Sequence, residues 1–372
     1  MTTQSDFDKT FDKVYEEKKP DFNQTINIAI LGKVSAGKSS LLNAILERDR
    51  TNPMARVAAY SGVTTKVTPY RLDKQVLIID CPGLDDVRSE NSEETKKFLE
   101  SIDLGIFVVT GSADASQRAN YQDLKKTAKK TFLILNKVDE WDDLDESALQ
   151  EVVAQWKRSL SATHVFETCA KGYDPKMRKD APMDLRGIND LRGEIFGFLE
   201  EEGKEILLAK HLQNKTPYAT KIIVTALAAV AAEAFIPGSA VYITGTQIIA
   251  IISIYYLYKG EILTKSSALT LLPVFAGQSI GANVFLWAKS FLPPTFVLDL
   301  AAAGIAVVIT FAMLAAVKSL LESGHDLSDT KMLAEAFKRF QKIGSELKDI
   351  PIAGLKSKGG LIKIVQKLLV GR

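Results

Sequence analysis

A chain of 372 residues, 25% charged and 46% hydrophobic, is an ordinary folding sequence long enough for about two or three domains. Its formal net charge of +2 and the lack of a long acidic or basic tail leave no electrostatic footprint for nucleic acid. With two cysteines, Cys81 and Cys169, it has no disulfide framework, which points to a reducing compartment. Charges are spread over the first two hundred residues or so and almost vanish between Ile222 and Val317.

Residues 1–21 form the first segment. Phe7, Phe11, Val14 and Tyr15 recur at i, i+4, i+7 and i+8, one face of an amphipathic helix that Pro20 ends. The segment has no apolar run and so does not read as a secretory signal. Ile26 to Leu31 is a short apolar strand, and Ser40 to Glu47 starts a helix. Between them Gly32, Lys33, Val34, Ser35, Ala36, Gly37, Lys38 and Ser39 match G-x-x-x-x-G-K-[ST]. Glycines let the backbone wrap phosphate oxygens, and the helix N-terminus adds positive potential. Lys38 is placed to reach the β- and γ-phosphates, and the Ser39 hydroxyl to ligate Mg²⁺.

A polar stretch containing Gly62-Val63-Thr64-Thr65 follows. Val67 to Leu72 and Val76 to Ile79 read as a strand hairpin running into Asp80-Cys81-Pro82-Gly83. In this D-x-x-G, Asp80 holds Mg²⁺ through water and the Gly83 N–H senses the γ-phosphate; such loops are ordered by that phosphate. Leu84 to Leu99 reads as a flexible loop leading into a helix. The strand Leu104 to Thr110 and the helix Gln117 to Lys130 come next. After the strand Thr131 to Leu135 stands Asn136-Lys137-Val138-Asp139. A carboxylate at Asp139 accepts two hydrogen bonds from guanine, a donor pair that adenine lacks, so the site rejects ATP. The helix Glu146 to Arg158 precedes the strand Val165 to Thr168, where His164 reads as structural, and then Cys169-Ala170-Lys171. Gly187 to Glu202 closes the domain with Ile188, Leu191, Ile195, Phe196 and Leu199 on one face. Alternating strands and helices predict an α/β fold with a mostly parallel sheet covered on both faces.

Five motifs in this order resemble the G domain of P-loop GTPases of the translation-factor class, and within them the Era-like and dynamin-like group. The resemblance covers about half of the chain, residues 22–204, and implies GTP/GDP and Mg²⁺. It places the phosphate loop at Gly32 to Ser40, and the switch threonine that completes Mg²⁺ coordination at Thr65, with Thr64 the alternative. Asn136, Lys137 and Asp139 resemble the guanine motif. Cys169, Ala170 and Lys171 stand where the family has Ser-Ala-Lys; the Ala170 N–H contact survives this change and the supporting hydroxyl is lost. Many small GTPases follow the D-x-x-G glycine with a glutamine that orients water. Here Leu84 follows Gly83, as in Era-like, dynamin-like and immunity-related GTPases. The run Ser35 to Ser40 is similar to the dynamin phosphate loop. It implies that Ser35, with a monovalent cation (K⁺ or Na⁺), positions water when two G domains pair. Lys38, Ser35 and Thr65 form the catalytic set; Ser39, Thr65 and Asp80 form the metal set.

A polar helical connector spans residues 205–221. Residues 222–320 hold four apolar segments: Ile222 to Ile236, Ala240 to Tyr258, Ser266 to Ala288 and Leu300 to Val317. Two reach the roughly 20 residues that span a bilayer. Ala240 to Tyr258 carries no charge and ends in Tyr255, Tyr256 and Tyr258, like an interfacial aromatic anchor. A soluble bundle with a very apolar core is the alternative. The pattern resembles the helical domain that follows some bacterial Era-like GTPases and, more loosely, that of immunity-related GTPases. In residues 321–372, Met332, Leu333, Phe337 and Phe340 line one side of an amphipathic helix. From Leu355 to Arg372 basic residues interleave apolar ones, suiting either an anionic membrane surface or a packed terminal helix. The expectation is a GTP-hydrolysing switch or remodelling GTPase at the cytoplasmic face of a membrane, pairing through its G domains. Its rivals are a GTP-binding assembly module with negligible turnover and a G-domain-gated channel or transport component.

Overall fold

The computed structural model describes residues 4–50, 68–81, 83–89, 97–173, 178, 180–236, 238–275, 300–349 and 358–370. Thr64, Thr65, Pro82, the segment 276–299 and Leu355 lie outside the described residues. The chain forms two compact units: residues 23–213, and residues 1–22 together with 214–372.

In the first unit six strands among the described residues make one sheet: β1 (Ile26–Leu31), β2 (Thr68–Arg71), β3 (Val76–Cys81), β4 (Leu104–Val109), β5 (Lys130–Asn136) and β6 (Phe166–Thr168). Their order is β2-β3-β1-β4-β5-β6, parallel except for the β2–β3 hairpin. β3 and β4 are buried at every position, as strands covered on both faces must be. The helices are α2 (Lys38–Ile45), α3 (Leu84–Ser89), α4 (Arg118–Thr127), α5 (Glu146–Leu160), α6 (Ile188–Glu201) and α7 (Glu205–Ala209). The stretch from Leu84, expected as a loop, begins with α3, because burial of Leu84 and Val87 in the core anchors its first turn. Arg192 of α6 donates to the carbonyls of Ala44 (2.8 Å) and Ile45 (3.0 Å), supplying the α2 C-terminus with donors that a helix end lacks. Residues 205–213 pack in this unit: Lys210 donates to Gln75 Oε1 (2.8 Å), and His211 lies 3.1 Å from Asp73 in the hairpin turn.

The second unit is helical: α1 (Gln4–Lys18), α8 (Thr216–Glu233), α9 (Ser239–Lys259), α10 (Lys265–Phe275), α11 (Leu300–Glu322), α12 (Thr330–Ile343) and α13 (Lys358–Val370). α9 starts after Gly238 (φ 76°) and stops at Gly260 (φ 73°), left-handed positions that end a helix without steric cost. α11 outruns the expected Val317 because Lys318 pairs with Glu322 one turn on (2.6 Å). α9 and α11 are the interior helices. Phe7, Phe11 and Val14 of α1 are buried on the shell side of α9, and Val14 approaches so closely that a side chain at Gly245 would stand 2.9 Å from it. In α12 the buried face is Leu333, Ala336, Phe337 and Phe340. Met332, expected on that face, is 36% exposed, because the i, i+3, i+4, i+7 set starts one residue later. α13 buries Leu361, Val365 and Leu368, packs on α8, and exposes Lys363 and Lys367. Among the described residues two helices, α9 and residues 303–322 of α11, are long and apolar enough to cross a membrane by length and composition; 78% and 89% of their apolar windows are buried in the bundle.

Candidate nucleotide site

The C-terminal edge of the sheet gathers the motif residues, as open parallel sheets do. β1 ends at Leu31, the loop turns, and α2 begins at Lys38. Gly32 (φ 151°) lies so close to β4 that a Cβ there would meet the Val108 carbonyl oxygen at 2.2 Å. Gly37 (φ 84°) leaves no room either, since a Cβ would come 2.4 Å from Asn136 Nδ2. Ser35 also adopts a left-handed φ of 67°. Lys38, 4% exposed, donates to the carbonyls of Gly32 (2.8 Å) and Lys33 (3.1 Å). Burial lowers its pKa, against the pull of Asp80.

Asp80 stands at the end of β3, fully buried, and accepts from Ser39 Oγ through Oδ2 (3.2 Å). Burial raises its pKa and Lys38 opposes the shift. Its Oδ1 is buried without a hydrogen bond, 3.7 Å from Lys38 Nζ. An orphaned carboxylate oxygen beside a hydroxyl is a hard-oxygen donor set that suits Mg²⁺, so the residues present fit that ion. Tyr70 of β2 shares a hydrogen bond with Ser39. Gly83 follows β3, and Leu84 turns into the core, 1% exposed.

The guanine motif lies at the end of β5. Asn136 Nδ2 donates to the Ala36 carbonyl (2.9 Å) and its Oδ1 accepts from Thr168 (3.1 Å), so this side chain ties the phosphate loop to β5 and β6. Lys137 is left-handed (φ 65°). Asp139 accepts from Cys169 Sγ (3.2 Å) and pairs with Lys171 (3.1 Å). The support expected to be lost with the serine hydroxyl is therefore supplied by a thiol. Burial pushes the Cys169 pKa up to about 12, so the group stays a protonated donor. Buried Ala170 sits between them in the chain.

Several site residues escaped sequence reasoning. Lys33 forms an ion pair with Asp114, whose carboxyl is held down at about 2, chiefly by that lysine. Arg186 forks onto Asp142 (2.7 Å) and Asp184 (2.7 Å), bracing the loop after β6 against the end of the guanine motif. Asn120 lies against Gly83. Tyr70, Asp114, Asn120 and Arg186 belong to no motif, and their spacing from the loops they serve carries no signal in one sequence.

A sheet of this order, with a phosphate loop after β1, an aspartate after β3 and a guanine motif after β5, defines residues 23–213 as a P-loop GTPase domain. Residues 27–137 match the family described as 50S ribosome-binding GTPase. GTPase Der of a Nitratiruptor species is 32% identical over 190 residues, 48% of this chain and 40% of that protein. The tRNA modification GTPase MnmE of Caulobacter vibrioides is 34% identical over 157 residues, 39% of this chain and 32% of that protein. The Fe(2+) transporter FeoB of Helicobacter pylori is 30% identical over 209 residues, 53% of this chain and 31% of that protein. The match thus spans less than half the length of each of these relatives.

Proposed function

We propose that this protein binds GTP with Mg²⁺, hydrolyses it to GDP and phosphate, and acts as a membrane-associated switch or remodelling GTPase. The observation that carries the reading is the convergence of Lys38, Ser39 and buried, half-satisfied Asp80 at one end of the sheet, with Asp139 past the end of β5 at the same edge. On substrate binding, Lys38 leaves the loop carbonyls for the β- and γ-phosphates. Ser39, Asp80 and, by family resemblance, Thr65 would hold Mg²⁺, which would supply charge neutralisation at the phosphate oxygens. The loop N–H groups and the α2 N-terminus orient the γ-phosphate for attack by water, and the β–γ bridging oxygen leaves with GDP. Asp139 selects guanine.

Leu84 cannot orient water, so the burden returns to Ser35, with K⁺ or Na⁺, in a pair of facing G domains. The helical unit is the effector part, with α9 and α11 supporting membrane association by length and composition. In this reading the G domain works at the cytoplasmic face. The burial of both helices favours a second reading, a soluble assembly module.

Two measurements test this. Single-turnover phosphate release, compared with Lys38→Ala across protein concentration and in K⁺ against Na⁺, is expected to exceed the variant and to rise with concentration. Release at the variant's level overturns hydrolysis; a flat concentration and cation profile overturns pairing. Flotation with anionic vesicles in GTP, GDP and no nucleotide is expected to lift the chain. Failure in all three states leaves the soluble module.

A further inference from the structure

Helix α4 packs directly on β4. A Cβ at Gly105 of β4 would come 2.7 Å from Leu124, so helix and strand touch almost without a spacer. Tyr121 meets Phe107 edge-on at 5.3 Å between ring centroids. The turn that leads into this platform ties to both phosphate-reading loops. At its start Asp114 pairs with Lys33, the second residue of the phosphate loop, and accepts from the Ser116 N–H (2.8 Å). Next comes Gln117, 6% exposed, with a buried Oε1 that has no hydrogen bond. One turn on, the Asn120 amide lies against Gly83: a Cβ built there would stand 3.3 Å from both Nδ2 and Oδ1. Gly83 is not left-handed, so its missing side chain serves proximity to Asn120 rather than backbone freedom.

We infer that residues 114–120 form a strap between the phosphate loop and the D-x-x-G corner, and that Asn120 is a positioning residue for the Gly83 peptide. The inference rests on the nucleotide reading above. Leu84, which follows Gly83, is spent on the core and offers that peptide no polar group. Asn120 supplies one from a helix packed directly on β4 through Leu124 and Tyr121. GDP has no γ-phosphate for Gly83 to read, so Asn120 acts on the GTP state alone. Asp114 holds the other end of the strap at the loop whose carbonyls receive Lys38.

The test compares a non-hydrolysable GTP analogue with GDP, by displacement of a fluorescent nucleotide, in wild type, Asn120→Ala, Asn120→Asp and Asp114→Asn, with Tm measured alongside. In Asn120→Ala the analogue is expected to bind about tenfold more weakly and GDP within about twofold of wild type. Asn120→Asp keeps the shape but loses the amide donor, and is expected to behave like the alanine variant. Asp114→Asn releases the strap at its other end and is expected to weaken the analogue about threefold. An unchanged analogue-to-GDP ratio, or an equal fall in both, overturns the inference while leaving GTP binding intact. A packing role alone would leave Asn120→Asp at the wild-type ratio. A wild type that binds neither nucleotide overturns the inference together with the functional reading beneath it.

Discussion

At Ser35 the backbone is left-handed, a conformation that costs an ordinary side chain roughly 1 kcal/mol and costs glycine little. Alanine there would lose the hydroxyl and keep the strain, whereas glycine removes the hydroxyl and relieves it. Ser35→Gly is therefore the cleaner probe. GDP affinity is expected within about threefold of wild type, and phosphate release at high protein concentration about tenfold or more lower; titration and single-turnover release measure the two. Cys169 offers a second residue-scale test. Serine preserves a donor to Asp139, so Cys169→Ser is expected to keep wild-type GDP affinity. Cys169→Ala removes one of the two groups that hold the carboxylate and is expected to weaken GDP about fivefold, a loss of roughly 1 kcal/mol.

At the scale of elements, the helix behind the phosphate loop is held from its far end. Arg192, 14% exposed in its side chain, donates to two terminal carbonyls of α2 and pairs with Glu47 at 2.9 Å. Arg192→Ala is expected to destabilise by about 2 kcal/mol in urea unfolding, and Arg192→Lys to recover only part of it, since a lysine cannot fork onto two carbonyls. His211 ties the segment after α7 to the β2–β3 hairpin beside Asp73 and Lys210. Burial lowers its pKa from 6.5 to about 4, against the pull of Asp73. Held neutral in the fold, this ring binds a proton more readily unfolded. Its contribution is full above pH 6.5 and declines as pH falls through that value toward 4. His211→Gln is expected to flatten the change in Tm over that window.

The elements that could be read from the sequence were those with one dominant force. β1, β3, β4 and β5 are mostly apolar and buried because both sheet faces are covered, and the phosphate loop announces itself through residues whose spacing is set by phosphate geometry. What could not be read depends on partners distant in the chain. The exposure of Met332 follows from where α11 lies, and the Lys33–Asp114 pair joins positions 81 apart. The apolar helices were ambiguous for a plain reason: a bilayer and a bundle interior present nearly the same solvent to α9, and sequence length cannot tell them apart.

Seen whole, the chain is two units laid out discontinuously. The helical unit takes α1 from before residue 23 and everything else from after residue 213, so the GTPase domain is inserted within its sequence. α1 is held by Phe7, Phe11 and Val14, and by ion pairs from Lys18 to Glu233 and from Asp12 to Lys265 (2.7 Å). Each of these groups meets residues from beyond the GTPase domain. That layout has a consequence for biosynthesis. A ribosome delivers α1 before the GTPase domain and its binding surface after it, so the helix waits with its aromatic face bare while the whole GTPase domain is made and folds. Chains stalled before Ser239 emerges are expected to be cut by protease within residues 4–18. Chains stalled after Glu322 has emerged are expected to resist, and protection appearing earlier would mean that α1 finds shelter elsewhere during translation.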